Sequence, residues 1–235
     1  MKVSICIPCY EMHGKGGEFL SFNLSKILNQ TYKNYEVVIS DHSVSDLIKD
    51  VCDRYSSLGM KIKYLRNELN RGNSSFNINN AILNSNGEIV KILFQDDFFF
   101  HSRSLEDIVS EFLKEEIDWL VTACCHSRDG INFERDYYPQ YTEDIMEGNN
   151  LISSPSVLSF RKTDSSILFD ENLVWLMDCD IYKRLYMKYG DPLYLNSINV
   201  VNRTWEGQFN NHIPWERKNW EIEYGRKKYK QNQNG

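Results

Sequence analysis

The stretch IVKILFQDDFFF, residues 89–100, ends an apolar run in two adjacent carboxylates, Asp96 and Asp97. Residues 89–94 read as a buried strand: short, rich in β-branched side chains and apolar except for Lys91. Aspartate is a poor strand residue, and two side by side repel each other and are costly to bury unpaired. At the carboxyl end of a parallel strand, however, they stand where open α/β sheets bind ligands. Two readings follow. One is a polar turn that closes the strand, since Asp is a common turn residue. The other is a pair of hard oxygen ligands suited to Mg²⁺ or Mn²⁺ carrying a diphosphate. The phenylalanines at 98–100 argue against a plain exposed turn.

Working outward, the same texture repeats. Residues 3–7 form an apolar strand, and a helix follows with Leu20, Leu24, Ile27 and Leu28 on one face. The loop between them, EMHGKGG at 11–17, fits neither the Walker pattern nor the Gly-x-Gly-x-x-Gly pattern and reads as a flexible loop near a site. Residues 35–40 (YEVVIS) are a second strand ending in Asp41. Val44, Ile48, Val51, Cys52 and Tyr55 mark a helix, and residues 61–66 alternate as a third strand. A polar loop at 67–73 and a short helix at 76–83 lead to the opening stretch. A helix at 105–113, capped by Ser102 or Ser104, and a strand at 119–125 complete the series. Strands alternating with helices imply right-handed βαβ units and a mainly parallel sheet. Beyond residue 125 the pattern thins to a strand at 157–161, a helix at 177–189 and short strands at 193–195 and 198–201. The chain thus divides into an α/β half at 1–125, a second half of the same domain at 126–214 and a basic, aromatic tail at 215–235.

Composition narrows the classes. With 235 residues, 41% hydrophobic and 26% charged, the chain is long enough and apolar enough for a sizeable core. A net charge of −6 argues against a general nucleic-acid binder. No apolar run approaches the length of a membrane span, and the N-terminus turns polar too soon for a signal peptide, so a cytoplasmic protein is expected. The six cysteines sit mostly in apolar runs, as reduced buried thiols do. Arg226, Lys227, Lys228 and Lys230 make the tail basic, which fits either a solvated end or peripheral contact with an anionic membrane surface.

Two further carboxylates follow apolar runs. Asp41, at the end of the second strand, is either an Asx-turn or a nucleotide-holding carboxylate one strand along from the first βα turn. Asp178 opens the helix at 177–189, either as its N-cap or as a carboxylate aimed into a cleft. Asp180, two residues on, points elsewhere and pairs with Arg184 as a surface ion pair.

Together these residues resemble family 2 glycosyltransferases of the GT-A fold. The features are the opening strand with Pro8-x-Tyr10, the helix ending Ile27-Leu-Asn-Gln30-Thr31-Tyr32, YEVVISDHS, and Arg66-Asn67 with Asn70-Arg71-Gly72. They continue with the Asn80 helix before Gly87-Glu88-Ile89, the Gln-Asp-Asp run and FDENLVWLMDCDIYKRL. The resemblance implies a Rossmann-like, mainly parallel sheet flanked by helices, with a smaller C-terminal acceptor-binding portion. It implies an inverting hexosyl transfer from a nucleotide-diphosphate sugar, UDP-linked by family habit, to a glycan or lipid-linked saccharide in polysaccharide or cell-envelope synthesis. Carried over by position, Pro8, Tyr10, Glu11, Asp41 and Arg71 would lie against the nucleotide. Asp97 would bind Mn²⁺ or Mg²⁺, Asp96 would meet the donor's ribose or sugar, and Asp178 would be the catalytic base.

The sequence departs from the family pattern in places. Gln95 replaces a first Asp, Met177 replaces a Glu before the base, His42-Ser43 replaces Asp-Gly, and the loop at 11–17 is longer. His212 reads either as a further group for the metal or diphosphate or as a satisfied loop histidine. Tyr137, Tyr138, Tyr141, Trp175 and Trp205 could stack on a sugar acceptor or serve as ordinary core aromatics. The competing readings are a sugar nucleotidyltransferase, which wants an Arg-bearing glycine loop after the first strand, and a non-catalytic nucleotide-sugar or glycan binding module. At the inner face of the membrane, a cytoplasmic enzyme of this kind would meet lipid-linked acceptors.

Overall fold

β1 (Val3–Cys9) is buried along its whole length, as a central strand covered on both faces must be. The computed structural model describes residues 1–163, 167–208 and 212–230. After β1 the described elements are α1 (Gly16–Leu28), β2 (Tyr35–Asp41), α2 (Leu47–Ser57), β3 (Ile62–Arg66), α3 (Ser74–Leu83), β4 (Ile89–Ile92) and β5 (Phe98–Phe99). Then come α4 (Ser104–Lys114), β6 (Trp119–Ser127), β7 (Glu134–Tyr137), β8 (Leu158–Arg161), α5 (Met177–Tyr189), β9 (Leu193–Arg203) and α6 (Trp215–Lys230).

One sheet joins the two halves, in the order β3-β2-β1-β4-β8-β6-β9-β5, with β7 on the edge of β6. β3, β2, β1 and β4 are parallel, and β6 pairs parallel with β9. β8 inserts antiparallel between β4 and β6, so sequence positions 89–92 and 119–127 run the same way without touching. The alternation of each central strand sorts its side chains onto two cores. Ile5, Ile7, Val37 and Ile39 face α1, α2 and α4, while Cys6, Val38, Val90 and Ile92 face α3, α5 and the segment before β8.

Three expectations change here. The two short strands expected at 193–201 are one strand, β9, which absorbs its polar Asn196-Ser197 interruption through register shifts against β6. The helix of α4 takes its cap position at Arg103 with no side-chain cap, and the Ser104 hydroxyl instead accepts from His101 N. The tail is an ordered helix through Lys230, with its last five residues outside the described set. No described helix is long and apolar enough to cross a membrane.

Lys91, the polar exception in the β4 run, is fully enclosed and donates to the carbonyls of Ser156 and Leu158. Burial pushes its ammonium down to about 7, with Asp97 acting in the opposite direction. All six cysteines are buried free thiols.

Candidate active site

The carboxyl ends of β1, β2 and β4 converge, and most of the expected donor residues meet there. Cys9 O receives His42 N at 2.9 Å and Asn77 Nδ2 at 3.1 Å, which binds the ends of β1 and β2 to α3. Asp41 is fully enclosed; its oxygens accept from Ser43 N at 2.8 Å and Tyr64 OH at 2.7 Å, so the Asx-turn of one sequence reading is present. Arg71 reaches Ser43 O at 3.4 Å. Glu11 accepts from Val44 N, from Ser45 N at 2.9 Å and from Ser45 Oγ, closing the loop after β1 onto the loop after β2. Pro8 lies in β1 opposite Ser40. At this corner the Ser43 hydroxyl and His42 Nε2 are buried without a hydrogen-bond partner among the described residues. Burial pushes the His42 imidazole down, so its neutral form is favoured. Buried orphaned polar atoms are uncommon and call for a ligand or water.

Gln95 has a different task from that of a metal ligand. Its Oε1 accepts from Tyr10 N at 2.9 Å and its Nε2 donates to Gly16 O at 2.7 Å. The side chain thereby staples the start of the 11–17 loop to its end. A Cβ on Gly16 would lie 2.2 Å from Tyr10 O, so only glycine lets the loop close this tightly. That loop is accordingly a bonded turn with Met12 and His13 at positive φ, and not the flexible segment expected.

The two carboxylates after β4 are not equivalent. Asp97 is 5% exposed, and it accepts from Arg203 N at 3.0 Å and Ser154 Oγ at 3.4 Å. Asp96 accepts from the indole N–H of Trp205 at 3.1 Å, and its carbonyl holds Arg203 Nε at 3.1 Å. Burial pushes both carboxyls up, and for Asp97 the neighbouring Asp96 charge adds to the effect. A cation at this point would relieve that cost. Among the described residues no three His, Cys, Asp or Glu side chains gather around a common point. A Mg²⁺ or Mn²⁺ here would therefore draw most of its oxygen ligands from a diphosphate and water, as such ions commonly do. His212 is exposed, and its Nε2 lies 3.2 Å from Glu206 O. Trp205 packs edge-on against Phe19 at 5.3 Å and donates to Asp96, so it stands beside the carboxylate pair.

Asp178 is the second residue of α5, past the cap position at Leu176. Its Oδ1 accepts from Cys179 N at 2.8 Å and its Oδ2 from Asn150 Nδ2 at 2.9 Å. Burial pushes its carboxyl up to about 6, against the lowering effect of these donors. Met177 is buried in the core and accepts from Ser74 Oγ. Trp175, on the same side, rests against Gly148, where a Cβ would come 2.8 Å from the ring. Tyr141 is a packing residue, stacked on Tyr186 at 3.9 Å.

A turn at 150–156 joins the base candidate to the carboxylate pair. Asn150 bonds Asp178; Ser153 Oγ accepts from Asn202 Nδ2 at 2.8 Å; Ser154 Oγ donates to Asn202 Oδ1 at 2.8 Å and also approaches Asp97. Behind α5 stands α6. Glu221, fully enclosed, accepts from the backbone N–H groups of Val174, Trp175 and Leu176 at 3.1, 2.9 and 2.8 Å. Asp180 is also fully enclosed, held by Arg184, Lys228 and Tyr229, which corrects the surface ion pair expected from sequence. Its i+4 partner was legible, but the two from α6 lie 48 and 49 residues away. Sequence reading also missed Asn150, Ser153, Arg203 and Glu221; only the stretch TWEGQ, with its conspicuous Trp205, signalled that part of the site.

The family model for glycosyl transferase family 2 matches residues 4–185. Glycosyltransferase GlyA of Streptococcus pneumoniae is 29% identical over 226 residues, which is 88% of this chain and 31% of GlyA. The Escherichia coli protein described as UDP-Glc:alpha-D-GlcNAc-diphosphoundecaprenol beta-1,3-glucosyltransferase WfgD is 30% identical over 118 residues, 50% of this chain and 44% of WfgD. The chain thus spans less than half the length of either relative. Among solved structures, S. aureus TarS in complex with UDP-GlcNAc is similar with a TM-score of 0.72 at 18% identity, over 91% of this chain and 62% of that one. The mannosyltransferase PcManGT from Pyrobaculum calidifontis in complex with GDP-Man and Mn²⁺ gives a TM-score of 0.63 at 15% identity, over 86% and 56%. At those identities the likeness is one of fold, and the fold is GT-A. The family match, which covers most of the chain, fixes the assignment: the chain belongs to glycosyl transferase family 2.

Proposed function

We propose that the chain transfers a sugar, with inversion, from a nucleotide-diphosphate sugar to a saccharide hydroxyl. One arrangement carries the reading. The carboxylates after β4 and the carboxylate opening α5 sit at the two ends of one hydrogen-bonded turn. Displacement at an anomeric carbon needs charge stabilised on the leaving diphosphate and a proton removed from the attacking hydroxyl, so the two groups belong on opposite sides of a cleft. Asp178 takes the proton; its carboxyl, raised to about 6 by burial, is still ionised at neutral pH yet basic enough to accept.

On the donor side we assign the metal to Asp96 and not to Asp97, the reverse of what the family resemblance implied. Asp97 is already committed to Arg203 N and Ser154, so it orients the strand end and adds charge from behind. A divalent cation bound at Asp96 would supply Lewis-acid stabilisation of the departing diphosphate. His42, Ser43 and Arg71, beside the enclosed Asp41, offer the polar groups for the nucleotide, and Tyr10, 38% exposed, borders the same opening. UDP is the favoured nucleotide because a similar fold is known with UDP-GlcNAc, although another is known with GDP-Man. The relative WfgD, by name a diphosphoundecaprenol glucosyltransferase, supports a lipid-linked saccharide acceptor. For such an acceptor the enzyme would work at the inner face of a membrane. The exposed Trp215 and Trp220 of α6 are then the surface that would meet it. Two of the tail's cations, Arg226 and Lys228, are already used to dock the helix.

Thermal unfolding with nucleoside diphosphates, with and without Mn²⁺, tests the donor half. A nucleotide at about a hundred times its Kd stabilises by about 2.7 kcal/mol. We expect UDP to do so only with Mn²⁺, and Asp96→Asn to lose the effect. Absence of stabilisation by any nucleoside diphosphate would sink the reading.

A further inference from the structure

Asn150 is the residue of the linking turn that touches Asp178. Its Oδ1 accepts from Ile152 N at 2.9 Å and Ser153 N at 3.2 Å, so turning the amide over would lose both bonds. The nitrogen must therefore face Asp178, to which it donates at 2.9 Å, while its other hydrogen goes to Ser153 O at 3.0 Å. Every polar position of the amide is committed. The backbone around it is strained: Ser153 has φ of 103°, a conformation rare for an L-residue, and Asn150 grips it at both its N–H and its carbonyl. Strain of this kind persists only where neighbours over-determine it, and it gathers at functional sites. With Cys179 N on Oδ1, Asn150 on Oδ2 and the Cys179 thiol as a third, weaker donor, the carboxylate keeps one lone pair open.

We propose that Asn150 is a positioning residue for Asp178, holding the carboxylate ionised and turned so that one lone pair meets the acceptor hydroxyl. The inference rests on the general-base reading of Asp178. On its own helix the titratable neighbours are Cys179 and Tyr182, both pushed well up by burial and hence neutral, and Asp180, which is paired. The surrounding elements contribute Cys124, whose thiol burial raises to about 11, and the ion pairs Glu147–Arg226 and Glu221–Arg217. Beside the Cys179 thiol, a weak donor, the amide of Asn150 is the side-chain donor that favours the ionised form of Asp178.

Asn150→Asp separates this role from a structural one. It keeps an oxygen for Ile152 N and Ser153 N, and so the turn, but replaces the donor with a second carboxylate beside Asp178. Profiles of kcat/KM against pH, with thermal unfolding of each protein, give the readout. The acid limb should rise by at least about one pH unit, because like charge and a lost donor both favour the protonated form. The loss of activity near pH 6 should then be at least roughly fivefold greater than that near pH 8.5. Asn150→Ser, which can still hold the turn through its hydroxyl, should shift the limb in the same direction by less. An unmoved limb in both folded variants, or a loss equal at every pH, overturns the proposal. Asp178→Asn assayed alongside keeps the two claims apart: turnover in that variant removes the base itself, and the inference with it, whereas an inactive Asp178→Asn beside an unshifted Asn150→Asp removes only the inference.

Discussion

Replacing Glu221 with Ala should cost more stability than any exposed position of α6 would suggest. The carboxylate is fully enclosed and accepts three backbone N–H groups at the entry to α5, besides Arg217 Nε at 2.7 Å. Each buried donor left unmet costs roughly 1–3 kcal/mol. Val174 and Trp175 are only half-buried, so water can reach part of that loss, while Leu176 is enclosed. Arg217 can turn to solvent, since 36% of its side chain is exposed. The net destabilisation is about 3–5 kcal/mol, in line with breaking a buried ion pair from one side. At roughly 2–4 °C per kcal/mol for a chain of this size, Tm falls on the order of 6–20 °C. Glu221→Gln keeps an acceptor oxygen but not the charge, and should lose about half as much. Urea unfolding followed by circular dichroism measures both. A loss below about 1 kcal/mol for Glu221→Ala, at unchanged m-value, would refute the claim that α6 anchors the helix of the base.

Three further outcomes follow from the donor corner. Gln95→Ala removes both bonds that staple the 11–17 loop, so stability should fall by about 1–2 kcal/mol and the donor KM should rise with kcat less affected; steady-state kinetics with varied donor checks the split. Asp97→Ala strips Arg203 N of its acceptor inside the protein, while Ser154 Oγ keeps Asn202 Oδ1, so it should destabilise by about 1–3 kcal/mol even without metal. Asp96→Asn should leave denaturant stability nearly unchanged, because the amide oxygen can still accept from the Trp205 indole.

The parallel half of the sheet was legible because burial on both faces leaves mostly apolar runs, as in β1 and β2. α5 was legible to the residue, since Met177, Ile181 and Leu185 repeat at one helical face and all are buried. β5 and β7 were not, being two and four residues long, with β7 exposed on an edge. α6 was hidden for a different reason. Its anchors are Glu221, Lys228 and Tyr229, polar groups that a one-dimensional reading assigns to solvent, and their partners lie 45 to 58 residues upstream. Within the site, the carboxylates announced themselves by ending apolar runs. Asn150 and Ser153 lie in a polar, aperiodic stretch, and only the folded chain brings them to Asp178 and Asn202. Gln95 was read through a family pattern as a missing carboxylate, and in the fold it is the staple of a loop.

The central claim is that Asp178 takes the acceptor proton while a sugar leaves its nucleotide with inversion. The direct measurement is single-turnover transfer from a UDP-sugar to a diphosphate-lipid-linked saccharide, with the product's anomeric configuration read by NMR, for the wild-type protein and Asp178→Asn. The account predicts an inverted linkage from the wild type and, from a folded variant that still binds UDP, no product above background. A retained configuration, or wild-type turnover by Asp178→Asn, would contradict it.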